Sequence, residues 1–247
     1  MKVEVYSNYA SLSEHVAQEI ISLVKNKPDA ILCMASGESP KLTCSKVVDI
    51  ANRENINFSR LQFIGLDEWV GIPPDNSGSC RYFFETFFLN PLKSPPTSVH
   101  LFNALSRDLL HECKGMDEFI FRNGSIDLMI VGIGMNGHIG FNEPGISFEK
   151  YSHIAELDET TTSVGQKYFE SSTILKQGIT LGLQHLMDSK KLILIANGRK
   201  KSGVIQRAVE GEVTNNFPAS IIQLHRNCGI IVDEEAAALL KGPISQS

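Results

Sequence analysis

Apolar residues along this chain gather in short, often β-branched runs, and the longer stretches between them repeat apolar positions every three or four residues. The first pattern reads as buried strands and the second as amphipathic helices. Strands are predicted over 2–6, 30–34, 60–66, 127–133 and 191–196, with shorter ones over 221–224 and 229–232. A stripe of Val16, Ile20, Leu23 and Val24 predicts the first helix, opened by a Ser11/Glu14 capping box and closed by Lys27-Pro28. Further helices are predicted over 41–52, 79–89, 108–123, 199–209 and 233–240. No repeat, low-complexity segment or long linker divides the chain. A βαβ succession of this kind implies one α/β domain over 1–247, a Rossmann-like three-layer sandwich with a mostly parallel central sheet. Residues 146–177 hold few strong apolar runs and many hydroxyls, and they are expected to form a mobile lid.

Composition narrows the function classes. The hydrophobic share of 42% and charged share of 21% are those of an ordinary globular protein with a sizeable core. A formal charge of −5 argues against nucleic acid or an anionic membrane as the main partner. The five cysteines form no CxxC pair and no zinc-like spacing, and they read as free thiols in a reducing compartment. No signal peptide and no apolar run of membrane-spanning length is visible, so the expected location is cytoplasmic.

Candidate chemistry collects at predicted strand ends, where parallel sheets bind their ligands. The strand over 127–133 runs into Gly132-Ile-Gly-Met-Asn-Gly-His-Ile-Gly-Phe-Asn-Glu-Pro-Gly145, five glycines in fourteen residues. This turn carries an imidazole, His138, and a carboxylate, Glu143, which suit acid–base work. Asp67 and Glu68 follow an almost wholly apolar strand, and lost hydration there raises a carboxylate toward the range of a general base. Ser36, Gly37, Glu38 and Ser39 form a turn entering a helix, with backbone N–H groups and hydroxyls suited to a phosphate. It is neither a Walker A nor a nucleophile elbow. Lys201, after Asn197-Gly198, would supply positive charge. Each of these features has an ordinary structural reading on its own: a helix cap, a loop carboxylate, a solvated lysine, a structural histidine. Metal ligation is disfavoured, because His138 and Glu143 stand five apart with no second histidine nearby.

Leu66-Asp-Glu-Trp-Val-Gly71 together with the Gly132 to Gly145 string resembles the glucosamine/galactosamine-6-phosphate deaminase/isomerase family over most of the chain. The 6-phosphogluconolactonases share the Gly-His portion but match Phe-Asn-Glu-Pro poorly. The resemblance implies that Asp67 moves the C2 proton of an opened hexosamine 6-phosphate, and that His138 opens the ring with help from Glu143. It implies that Ser36, Gly37, Glu38, Ser39, Lys201 and Lys167 hold the phosphate, Lys167 standing where the glucosamine enzymes usually have arginine. It also implies no metal, no organic cofactor and a homo-oligomer. Asn136 departs from the pattern, for an aspartate that pairs with the histidine is usual there, and a neutral amide does not stabilise imidazolium. With the Gly178-Ile-Thr-Leu-Gly-Leu183 string, this departure tilts the resemblance toward galactosamine 6-phosphate giving tagatose 6-phosphate and ammonia. Glucosamine 6-phosphate giving fructose 6-phosphate is the alternative, followed by lactone hydrolysis and a non-catalytic sugar-phosphate sensor. Effector control by way of a longer C-terminal segment, as in the allosterically regulated glucosamine enzymes, is not expected.

Overall fold

Alternation along each central strand decides which side chains go to which face of the sheet. Leu32 and Met34 of the strand Ile31–Met34 join one apolar cluster with Val16, Ile20, Val47 and Phe84. Its Ile31 and Cys33 join another with Met116, Ile120, Leu186 and Ile205. The same division holds for Leu128 and Ile130 against Met129 and Val131. The sheet is therefore buried on both sides, and its strands read as continuous apolar runs.

The computed structural model describes residues 1–242, 245 and 246. Its strands are β1 (Lys2–Tyr6), β2 (Ile31–Met34), β3 (Gln62–Gly65), β4 (Asp67–Trp69), β5 (Ser98–His100), β6 (Leu128–Val131), β7 (His153–Glu156), β8 (Gln177–Thr180), β9 (Leu192–Ala196), β10 (Cys228–Asp233) and β11 (Ser245–Gln246). Its α-helices are α1 (Tyr9–Asn26), α2 (Glu38–Glu54), α3 (Cys80–Phe84), α4 (Leu109–Arg122), α5 (Glu159–Gly165), α6 (Leu183–Asp188), α7 (Ser202–Glu210) and α8 (Glu234–Ala237). The central sheet has eight strands in the order β11-β1-β10-β9-β6-β2-β3-β5. Every pairing in it is parallel. Helices α1, α2 and α3 supply the first cluster and α4, α6, α7 and α8 the second, which makes the three layers. From β2 the chain winds outward through β3 to β5, then returns to β6 beside β2 and winds the other way through β9 and β10. The order of strands reverses between β2 and β6, and a crevice opens at such a point.

Several elements depart from the sequence expectation. Helix α1 is capped by Asn8, whose side chain accepts from the Ser11 amide, so Ser11 is the capped residue and opens no capping box with Glu14. Helix α2 begins at Glu38, directly after the Ser36-Gly37 turn. Residues 221–224 belong to the 3-10 helix Pro218–Leu224, which Pro218 starts, and form no strand. The chain leaves the central sheet at Leu66, whose amide still donates to the Met34 carbonyl at 2.9 Å. Asp67–Trp69 then pairs antiparallel with β8, and β8 with β7, in a separate three-stranded sheet. Residues 146–177 thus carry β7, α5 and the 3-10 turn Gln166–Tyr168, and they end at the start of β8.

Candidate active site

Gly37 sits at φ +117°, a conformation that L side chains rarely adopt, and it turns the chain straight from β2 into α2. As N-cap it offers no side chain to the first-turn amides, which leaves those donors free for an anion. The turn is braced from both sides. The Tyr9 hydroxyl of α1 lies 2.5 Å from the Glu38 carbonyl and accepts the Leu42 amide at 3.0 Å. Ser39 Oγ donates to Asn197 Oδ1 at 2.7 Å, tying the turn to the loop after β9. In that loop Lys201 Nζ donates to the Ile133 carbonyl at 2.5 Å. Burial, with repulsion from Lys167, pushes the Lys201 ammonium down to about 8. Lys167 reaches across from the 3-10 turn after α5 to Glu38 Oε2 at 2.5 Å.

Asp67 and Glu68 alternate in β4 and serve different ends. Glu68 is buried and accepts from the amides of Trp69, Cys80 and Arg81, each at 2.9 Å, and from the Ser79 hydroxyl at 2.7 Å. It anchors the start of α3. Asp67 instead faces the cleft. Burial first, and the neighbouring Glu68 charge second, push its carboxyl up to about 7.

His138 lies flat against Gly134, where a Cβ would come within 2.2 Å of the ring. Only glycine permits that approach. Ring Nδ1 stands 3.0 Å from Thr161 Oγ1 and 3.6 Å from Glu143 Oε2. Burial works against charge on Glu143, but His138, Thr161 and Asn136 outweigh it and hold the carboxyl below its usual range. Asn136 does not pair with the imidazole. Its Oδ1 accepts the His138 backbone amide at 3.1 Å, and its Nδ2 donates to Glu143 Oε2 at 2.9 Å. The carboxylate facing the histidine is Glu143, the group that the resemblance already placed beside it.

All the phosphate candidates, Ser36, Gly37, Glu38, Ser39, Lys167 and Lys201, line one cleft of about 500 Å³ together with Asp67 and His138. Asn136 and Glu143 stand behind His138. Among the described residues no cluster of histidine, cysteine, aspartate and glutamate is arranged to hold a metal ion. Nor is any helix long and apolar enough to cross a membrane.

A family model described as glucosamine-6-phosphate isomerases/6-phosphogluconolactonase matches residues 7–230. The chain belongs to this family. Within the glucosamine-6-phosphate isomerase/6-phosphogluconolactonase family it is 36% identical over 241 residues to a glucosamine-6-phosphate deaminase of Thermoanaerobacter sp. (strain X514), covering 97% of this chain and 95% of that one. It is likewise 36% identical to a glucosamine-6-phosphate deaminase of Clostridium acetobutylicum, covering 97% of this chain and all of that one. A solved structure of a monomeric glucosamine-6-phosphate deaminase superposes with a TM-score of 0.92 at 34% identity, covering 97% of this chain and 100% of that one. The 6-phosphogluconolactonase of Trypanosoma brucei shares the fold, with a TM-score of 0.74 at 16% identity and coverage of 97% and 98%.

Three cleft residues carry no local signal in the sequence, and a fourth, Trp69, stands there only as part of the Leu66-Asp-Glu-Trp-Val-Gly71 string. Thr161 reaches His138 from α5, Tyr168 stands over Gly37 with its hydroxyl 3.3 Å from where a Cβ would be, and Trp69 and Cys80 also line the cleft. The pairing of β4 with β8, the packing of α5 on Trp69 and the hydrogen bonds from the start of α3 to Glu68 bring them there.

Proposed function

We propose that this chain deaminates a hexosamine 6-phosphate, glucosamine 6-phosphate foremost, to the ketose 6-phosphate and ammonia. The observation that carries the reading is the meeting of three loops in one cleft: an uncapped helix N-terminus beside Lys201 and Lys167, a carboxylate raised to about 7, and a histidine backed by a carboxylate. The first suits a phosphate and the other two suit proton transfer. In this reading His138 opens the pyranose ring with Glu143 supporting the charge it takes up, and Thr161 and Asn136 fix the pair. Asp67 then carries a proton from C2 to C1, and the C2 imine that results adds water and releases ammonia. Residues 146–177 act as a lid, bringing Lys167 and Tyr168 onto the phosphate.

One finding favours the gluco epimer over the galacto one expected from sequence. The curated relatives at 36% identity are named glucosamine-6-phosphate deaminases. Ammonia release measured side by side on glucosamine 6-phosphate and galactosamine 6-phosphate tests the proposal. Faster release from the glucosamine compound supports it, faster release from the galactosamine compound reverses the epimer, and release from neither removes the deaminase reading. Acid release from a phosphorylated aldonolactone would put lactone hydrolysis in its place.

A further inference from the structure

Residues 67 and 68 point in opposite directions, yet the start of α3 meets both of them. Glu68 Oε1 accepts the Cys80 amide at 2.9 Å, and Oε2 accepts the Arg81 amide at 2.9 Å and the Ser79 hydroxyl at 2.7 Å. These bonds fix the backbone on both sides of residue 80. The Cys80 thiol is thereby directed back at Asp67, with Sγ 3.7 Å from Oδ1 and oriented to donate. Cys80 is buried and lines the cleft with Asp67 and Ser36. Burial first, then the charges of Glu68 and Asp67, push its thiol well above the usual range. It is an S–H donor at working pH, and no nucleophile.

We propose that Cys80 is a positioning residue whose S–H hydrogen bond holds Asp67 oriented and ionised for proton transfer. The inference rests on the reading of Asp67 as the base. A donor to the charged form of a carboxyl favours that form. Two forces oppose it at Asp67, namely burial and the Glu68 charge from its own strand. The other titratable groups that sense Asp67 are the Cys33 thiol of β2 and the Tyr168 phenol of the turn after α5, and both are pushed up and stay neutral. Glu68 thus plays two parts, adding charge beside the base and placing the thiol that counters it. A thiol is a weak donor. It leaves the carboxylate basic, where a guanidinium in the same place would quench it.

The test compares Cys80→Ala and Cys80→Ser with the wild-type protein. It follows the pH dependence of kcat/KM for ammonia release and, independently of turnover, the titration of the Asp67 carboxyl by carbon-13 NMR of aspartate-labelled protein, with Asp67→Asn identifying the signal. Losing the donor in Cys80→Ala is expected to move the Asp67 titration and the acid limb upward together by about 0.5–1 pH unit. Cys80→Ser, whose hydroxyl donates in the same place, is expected to titrate at or below the wild-type position. An Asp67 titration that stays put in Cys80→Ala overturns the inference even if turnover falls, and so does a Cys80→Ser shift as large as that of Cys80→Ala. If the carboxyl moves as expected but the wild-type protein releases no ammonia from any hexosamine phosphate, the deaminase reading fails and the thiol contact stands.

Discussion

Asp67 shows how a single residue trades stability for chemistry. A carboxyl raised to about 7 prefers to be neutral in the folded chain, while in the unfolded chain it ionises near 4. Between those values the folded state binds the extra proton, so this group's contribution to stability falls as pH rises through that window and stays low above it. Asp67→Asn removes the penalty and is expected to stabilise the protein above pH 7 by about 1–4 kcal/mol, read from urea denaturation. The same substitution is expected to lower kcat by roughly 100- to 10,000-fold, because proton transfer by a positioned group is worth about that much. As a base Asp67 works ionised, so the acid limb of kcat/KM is expected near pH 7, and a profile flat down to pH 5 would show that another group takes the proton. Thr161 is a quieter case. Its hydroxyl touches His138 Nδ1 at 3.0 Å, and Thr161→Val keeps the shape while losing that contact. A fall of about 10-fold in kcat with unchanged thermal stability is expected, since one neutral hydrogen bond is worth about 1 kcal/mol.

Among the elements, the small antiparallel sheet does most to assemble the site, and it was the hardest part to read. β7 and β8 are four-residue strands with no long apolar run, and the pairing of β8 with β4 joins Asp67 to Thr180, far apart in sequence. By contrast β2, β6 and β9 were legible because both faces are buried and their runs are continuous. Ser36 and Asp67 were legible because they stand just past the ends of β2 and β3, and His138 because the glycine-rich turn that carries it opens at the end of β6. Thr161, Tyr168 and Cys80 were not, since ordinary helix and turn residues become site residues only through tertiary placement. The short run 221–224 was misread because four apolar residues fit a strand or a helical turn equally well. Glu68 is the joint between β4 and α3, and Glu68→Ala leaves the donors of Ser79, Cys80 and Arg81 without their acceptor. A loss of about 2–4 kcal/mol is expected in chemical denaturation, with disordering that starts at α3. The exposed Lys167–Glu38 pair contributes under about 1 kcal/mol by comparison, so losing it bears on binding rather than folding.

At the level of the whole molecule, the parallel sheet serves as a frame that presents loops at its strand-order reversal between β2 and β6. A sugar phosphate held there as proposed would join α2, the β6 loop, the β9 loop and residues 146–177, and so tie the two core layers together. Fructose 6-phosphate at 100 times its dissociation constant is expected to add about 2.7 kcal/mol and raise Tm by about 5–10 °C in a thermal shift assay. No shift would mean the cleft takes another ligand. Assembly is open to direct measurement by light scattering, for the family resemblance implied a homo-oligomer while the superposed deaminase is described as monomeric. Lys201, held down to about 8 by burial and by Lys167, has a thermodynamic consequence of its own. A phosphate dianion bound beside it, as proposed, draws the amine back to its cationic form, so above pH 8 most binding events capture a proton from the buffer. Calorimetry at pH 8.5 is expected to give heats that differ between buffers in proportion to their ionisation enthalpies, with a slope of about 0.7–0.8 hydrogen ion per sugar phosphate bound, the share of the amine that is neutral at that pH.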